Sequence, residues 1–214
     1  MRLREIPLTA WIGILGILFA FGCAVLAPLI APYGEREIVA GVWEPASDLY
    51  LLGTDNLGRD LLSRLIYGAQ TTLFVSLAAS ILSFSIGIFL SFTAAVSGGP
   101  IDQGLSRLND LMMSIPTLIF ALVVLAVLPQ NIFILIAVMA ILDSTRVYRL
   151  GRAVALDVAV MEFVEAAKLR GEGRMWIIFR EILPNTLSPL LAEFGLRFAF
   201  SILFLSTLSF LGLG

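Results

Sequence analysis

The 214-residue sequence has no histidine and one cysteine, Cys23, and only 14% of its residues are charged. One thiol forms no intrachain disulfide, and without histidine there is no Cys/His metal site. The histidine-based acid–base and nucleophile pairs of many enzymes are excluded with it. A phosphate-cradling G-x-x-x-x-G-K-[ST] stretch is also missing, since Gly171-Glu-Gly-Arg174 is too short and follows no strand. The net charge of −2 offers nucleic acid no bulk attraction. No metal, no cofactor and no catalytic residue is expected, and the chain reads as a non-catalytic protein.

What remains is apolar. Hydrophobic residues make up 59% of the chain and the mean hydropathy is +0.97, against about 45–50% apolar in soluble domains. Such a surplus needs lipid as its solvent, so the fold class is all-α, a polytopic membrane helical bundle. A hydrocarbon core of about 30 Å takes about 20 helical residues. Five segments fit as spans: Leu8–Ala31, Thr71–Val96, Leu111–Leu128, Asn131–Leu150 and Leu183–Gly214. The fourth is apolar only to Leu142 and must continue through Asp143 and Arg146, with its arginines reaching the interface. The first follows Arg2 and Arg4 like a signal peptide, but its apolar run exceeds the usual 7–15 residues. Three residues before Cys23 stands Ala20, not the leucine a lipoprotein cleavage site favours, so the helix is expected to be retained.

Basic residues set the orientation. With the N-terminus cytoplasmic, Arg2, Arg4, Arg107, Arg146, Arg149, Arg152, Lys168, Arg170, Arg174 and Arg180 fall inside, and only Arg36, Arg59 and Arg64 outside. The external segment around residues 32–70 holds Trp43 and Tyr50, expected as interfacial anchors, and Asp55, Arg59 and Asp60, spaced for a local polar cluster. It is expected to contact either a periplasmic binding protein or a partner subunit.

The loop between the fourth and fifth spans is the most informative stretch. Asp157–Arg170 favours helix, with Val160, Phe163, Val164, Ala167 and Leu169 as its apolar side. Gly171 after Lys168 and Arg170 is a helix-stop signal. A second helix is expected over Glu172–Ile182, and Pro184 suits the first turn of the next span. Spacing alone leaves two readings open, a helix lying on the membrane surface and a projection that docks on a partner.

Glu165-Ala166-Ala167, Gly171 and Ile182-Leu183-Pro184 resemble the EAA motif of ATP-binding-cassette (ABC) importer permeases. Tyr50–Gly68, Asp110–Pro116 and Leu208–Gly214 are similar to the C-type subunit of the dipeptide, oligopeptide and nickel importers, and the likeness runs from Tyr50 to the end. The resemblance implies that Glu165, Ala166, Ala167, Gly171, Leu183 and Pro184 form the ATPase-coupling loop, with Glu165 offering a carboxylate and the alanines allowing close approach. It implies a homologous B-type permease, two ATP-binding-cassette subunits, a periplasmic solute-binding protein and membrane lipid as partners, in the inner membrane. It also implies a division into an N-terminal helix (1–31), a periplasmic segment (32–70) and the transmembrane core (71–214). Relatives usually carry a sixth span beyond the Phe-Leu-Gly-Leu-Gly stretch, where this sequence ends, and Asp143 stands where they favour an aromatic or small residue.

Within the spans, Glu193 and Arg197 lie four apart on one helical face. They are expected either to pair internally or to line the solute pathway, as is Asp143. Asp143 and Arg146 are expected to pair, with Arg149 and Arg152 marking the membrane edge. Gly13, Gly16, Gly22, Gly87 and the serines of the second span suit close helix packing. Pro116 is expected to kink or cap the third span. The rival function is a secondary transporter driven by ion gradients, which calls for internal repeats or broken helices at the midplane; no convincing repeat is present.

Overall fold

A computed structural model of the chain describes residues 7–213, which fall into two compact units dividing at Phe74–Val75. In the first unit, helix α1 (Leu8–Val25) is followed, after a break at Leu26, by the single turn α2 (Ala27–Ile30), with Pro28 in its first turn. Residues 31–60 are irregular, tied by two isolated antiparallel bridges, Ile38 to Arg59 and Thr54 to Asp60. The carboxylate of Asp60 then accepts from the backbone N–H (2.8 Å) and hydroxyl (2.7 Å) of Ser63. That cap starts helix α3 at Leu61, which runs to Ser97. The second span therefore begins ten residues before the expected Thr71: apolarity marks where lipid begins, whereas the cap marks where the helix begins.

In the second unit, α3 ends at Gly98 and Gly99, both at positive φ (60° and 53°), which turns the chain into α4 (Gly99–Ser114). The expected third span Leu111–Leu128 is not one helix. Pro116 forces Ile115 into extended backbone (ψ 129°), and α5 (Thr117–Val127) leaves at 83° to α4. Helix α6 (Ile132–Ala159) starts on an Asn131 cap and is 28 residues long, about 42 Å at 1.5 Å per residue. It outruns the expected end at Leu150 by more than two turns. A break at Val160–Met161 separates it from α7 (Glu162–Leu169), so the single helix expected over Asp157–Arg170 is two. Past Gly171, α8 (Arg174–Ile177), a π-helical turn (Ile178–Ile182) and α9 (Leu183–Phe210) follow without a break.

Among the described residues there is no strand. Three helices are long and apolar enough to cross a membrane, α1, α3 and the continuous Arg174–Phe210 run, and four if α4–α5 is one bent span. Helix α6 has the length but carries Asp143, Arg146 and Arg149 among its apolar residues. It sits at the centre of the second unit, where Leu135, Val138, Met139 and Leu142 pack with α3, α5 and α9.

The α3–α6 contact is close because one stripe of α3 is small. Ser76, Ser80, Ser83 and Ser91 are fully buried, and a carbon added at Gly87 would come within 2.7 Å of the Val147 side chain. The packing expected at Gly87 and these serines is present. At Gly13, Gly16 and Gly22 it is not: a carbon added there meets no described atom within 4 Å.

Candidate functional site

The α6–α9 connection presents a shaped surface. Val164 and Ala167, three apart on α7, are fully buried in a cluster with Phe92, Ala155, Ile178 and Ile182. The opposite stripe, Glu162, Glu165, Ala166 and Leu169, faces outward at helical spacing, and Leu169 is 84% exposed. The two alanines thus do different work. Ala167 is small because it is packed against the bundle; Ala166 is small on the free face. Phe163 and Leu169, expected on the packed side, are exposed, as is Val160. The break at Val160–Met161 resets the helical phase and carries them away from the core. The side-chain carboxylates of Glu162 and Glu165 form no ion pair or hydrogen bond among the described residues.

The helix closes on a two-bond C-terminal cap. The N–H of Glu172 donates to the carbonyl of Ala167 (3.2 Å) and that of Gly171 to Lys168 (3.0 Å), with Gly171 at φ 83°. Arg170 lies 3.9 Å from both Glu172 and Glu181, with its guanidinium over Trp176. Lys168 donates to the Ala159 carbonyl at 3.5 Å. Leu183 is half-buried against the same cluster and Pro184 sits exposed in the first turn of α9. Glu165, Ala166, Ala167, Gly171, Leu183 and Pro184 therefore belong to one folded elbow.

A second polar group lies inside the bundle. Arg197 on α9 bonds Glu193 through Nε (2.5 Å) and lies 3.7 Å from Asp143 on α6, with its guanidinium over Phe200. Ser83 on α3 donates to Asp143 at 3.3 Å, and Ser80 bonds Ser201 at 3.2 Å. The expected Glu193–Arg197 pair forms. The expected Asp143–Arg146 pair does not: Arg197 takes the Asp143 carboxylate, and Arg146 reaches the hydroxyl of Thr117 instead (3.3 Å). Arg152, expected only to mark the membrane edge, grips both carboxylate oxygens of Asp102 of α4 through Nε and one terminal nitrogen, each at 2.5 Å, beside a Ser106–Tyr148 hydroxyl pair (2.9 Å). Asp102 stands fifty positions before Arg152, and no local pattern joins them.

In the irregular segment of the first unit, Asp55 accepts from the N–H groups of Leu57 (2.7 Å) and Arg59 (3.0 Å) and from the side chains of Arg59 (2.8 Å) and Arg64 (2.7 Å). Burial alone pushes its carboxyl up, but those donors outweigh it and hold the group well below the usual carboxylate range. Asp60 caps α3 rather than joining Asp55 and Arg59; Arg64 joins them instead. Tyr50 is turned inward, its hydroxyl on the Val39 carbonyl (2.9 Å) and its ring against Tyr33. Trp43, 71% exposed, is left as the outward aromatic.

Residues 85–214 match the family described as binding-protein-dependent transport system inner membrane component. The chain belongs to this family. As such a permease it also resembles named relatives along nearly its whole length. It is 34% identical over 212 residues to the dipeptide transport system permease protein DppC of Haemophilus influenzae, covering 96% of this chain and 72% of that protein. It is 35% identical to the di/tripeptide transport system permease protein DppC of Pseudomonas aeruginosa (94% and 69%). To the oligopeptide transport system permease protein OppC of Bacillus subtilis it is 29% identical (100% and 70%). The chain is thus a multi-pass, all-α permease subunit of an ABC importer of the C type, and the sequence reading agrees. Neither the family match nor the named relatives favour a secondary transporter.

Proposed function

We propose that this permease serves peptide import and that the outward stripe of α7 is where the force of ATP hydrolysis enters it. Relatives named for dipeptide, di/tripeptide and oligopeptide transport support the substrate class. The reading places the chain in the inner membrane with its N-terminus and the α6–α9 elbow cytoplasmic, on the strength of the basic residues gathered there. A B-type permease, two ATP-binding-cassette subunits and a periplasmic binding protein complete the assembly, and α6 serves as a further crossing.

One observation carries the coupling role. The inward stripe of α7 is locked to α6 and the π-helical turn that leads into α9, while the outward stripe has no partner among the described residues. A push on Glu165 and Ala166 therefore passes through Ala167, Ile178 and Ile182 into two long helices. Helix, cap and continuous α9 form a lever with little slack, and Glu162 and Glu165 offer carboxylates to a basic groove.

The test replaces the free face only. Glu165→Arg with Ala166→Trp adds bulk and reversed charge at exposed positions and leaves the bundle intact. The expected result is a membrane-inserted permease whose ATPase subunits no longer co-purify, with uptake reduced by about tenfold or more, as for loss of an interface hot spot. Undiminished uptake with intact co-purification would show that no force passes through this face.

A further inference from the structure

Asp143, Arg146 and Thr117 line an open cavity of about 440 Å³ between α5, α6 and α9, with Leu142, Phe200 and Phe204 among its apolar walls. That size is within the range of about 300–1,000 Å³ typical of small-molecule sites. Its walls are mostly aliphatic and aromatic, with hydroxyls at Thr117, Ser201 and Thr207.

The two charged residues at the cavity are not equivalent. The Asp143 carboxylate is already held by Arg197 and Ser83. Arg146 has no carboxylate within 4.0 Å among the described residues, and its side-chain hydrogen bond goes to the neutral hydroxyl of Thr117. On the reading that α6 crosses the membrane, a guanidinium midway along it is costly unless an anion or water answers it, and its planar fork matches a carboxylate through two parallel bonds. Arg146 therefore faces Asp143 only through space, and its other guanidinium donors are left for a guest.

We propose that this cavity is a solute subsite, in which Arg146 takes the carboxylate of a passing amphipathic solute while Leu142, Phe200 and Phe204 take its apolar side chain. The proposal rests on the peptide-import reading and names the solute group that this subunit recognises.

The experiment uses the whole importer in proteoliposomes with its binding protein. It compares uptake of a dipeptide carrying a free C-terminal carboxylate with uptake of the same peptide amidated, each at a concentration that saturates the binding protein. In the wild type the free acid is expected to move faster. Arg146→Gln is expected to slow the free acid by about tenfold, the loss of one charge-assisted bond, and to leave the amide unchanged. Arg146→Lys keeps the cation and is expected to retain part of the preference. Equal slowing of both peptides, or of neither, overturns the subsite. So does restoration of Arg146→Gln by anionic lipid, which assigns the guanidinium to a headgroup. If Arg146→Gln does not assemble, Arg146→Lys decides alone: loss of the acid-over-amide preference with its charge intact overturns the subsite. Failure of the wild-type chain to co-purify with ATPase subunits instead overturns the importer assembly itself.

Discussion

Asp55 and Arg197 are centres of two ion clusters with opposite composition. At Asp55, one carboxylate is held by two guanidiniums and two backbone N–H groups, in the irregular segment before α3. At Arg197, one guanidinium is held by two carboxylates within helices packed in the bundle. The first cluster has its acceptor oversupplied with donors; the Asp55 side chain itself is only 5% exposed, and water reaches the cluster through Arg59 and Arg64. The second carries a surplus negative charge where little water reaches, and its side chains are only 13–16% exposed. The comparison teaches that the same three-residue ion pairing orders a loop in one place and conditions a helix interface in the other.

The strongest way to break the comparison is Arg197→Gln. It leaves Asp143 and Glu193 without a paired cation, Arg146 acting on Asp143 only from a distance, and removing one partner of a buried pair costs about 3–5 kcal/mol. Thermal denaturation of the purified complex is expected to show a large drop. Adding Asp143→Asn and Glu193→Gln to that variant is expected to recover most of it, because the unanswered charges leave together. A stable single variant would show that water already reaches the pair.

At Asp55 the effect is smaller and depends on pH. Its folded pKa is depressed, so the stabilisation is fully present above the unfolded value of about 3.9 and is lost as pH falls through the folded value. Hydrogen exchange over residues 39–60 is expected to be slow at neutral pH and to accelerate only in strong acid. Asp55→Asn is expected to raise the neutral-pH exchange by about tenfold, through loss of the charge-assisted bonds, and to flatten the acid limb. An unaltered acid limb in the variant would assign the ordering to the Gly58 turn and the Tyr50–Val39 bond instead.

What the sequence could tell follows the same division. The elbow at Gly171, the proline break at 116 and the Glu193–Arg197 pair were readable because each signal sits within about one helical turn. The partner of Asp143 was not, since Arg197 lies on another helix and Arg146, three residues away, was the nearer candidate. The face of α7 was misread for a related reason. One helix drawn through Val160–Met161 carries the phase of α6 onward, and the real break shifts Leu169 from the packed side to the free one. The beginning of α3 was missed because hydropathy finds lipid, while the Asp60 cap finds the helix.

Arg64→Gln probes the least of these effects and sharpens the comparison most. The Arg64 side chain is 42% exposed, against 20% for Arg59, and both reach the same Oδ2 of Asp55. Exposed ion pairs contribute little because solvent screens them and side-chain entropy opposes them. Arg59 and the two backbone N–H groups would still satisfy Asp55 after the change. Exchange over residues 39–60 is therefore expected to rise by about twofold or less at low salt, and the difference is expected to vanish at high salt. Loss of loop order as great as in Asp55→Asn would mean that the second guanidinium, rather than the backbone donors, sets the carboxylate in place, and that the two clusters are built on the same principle after all.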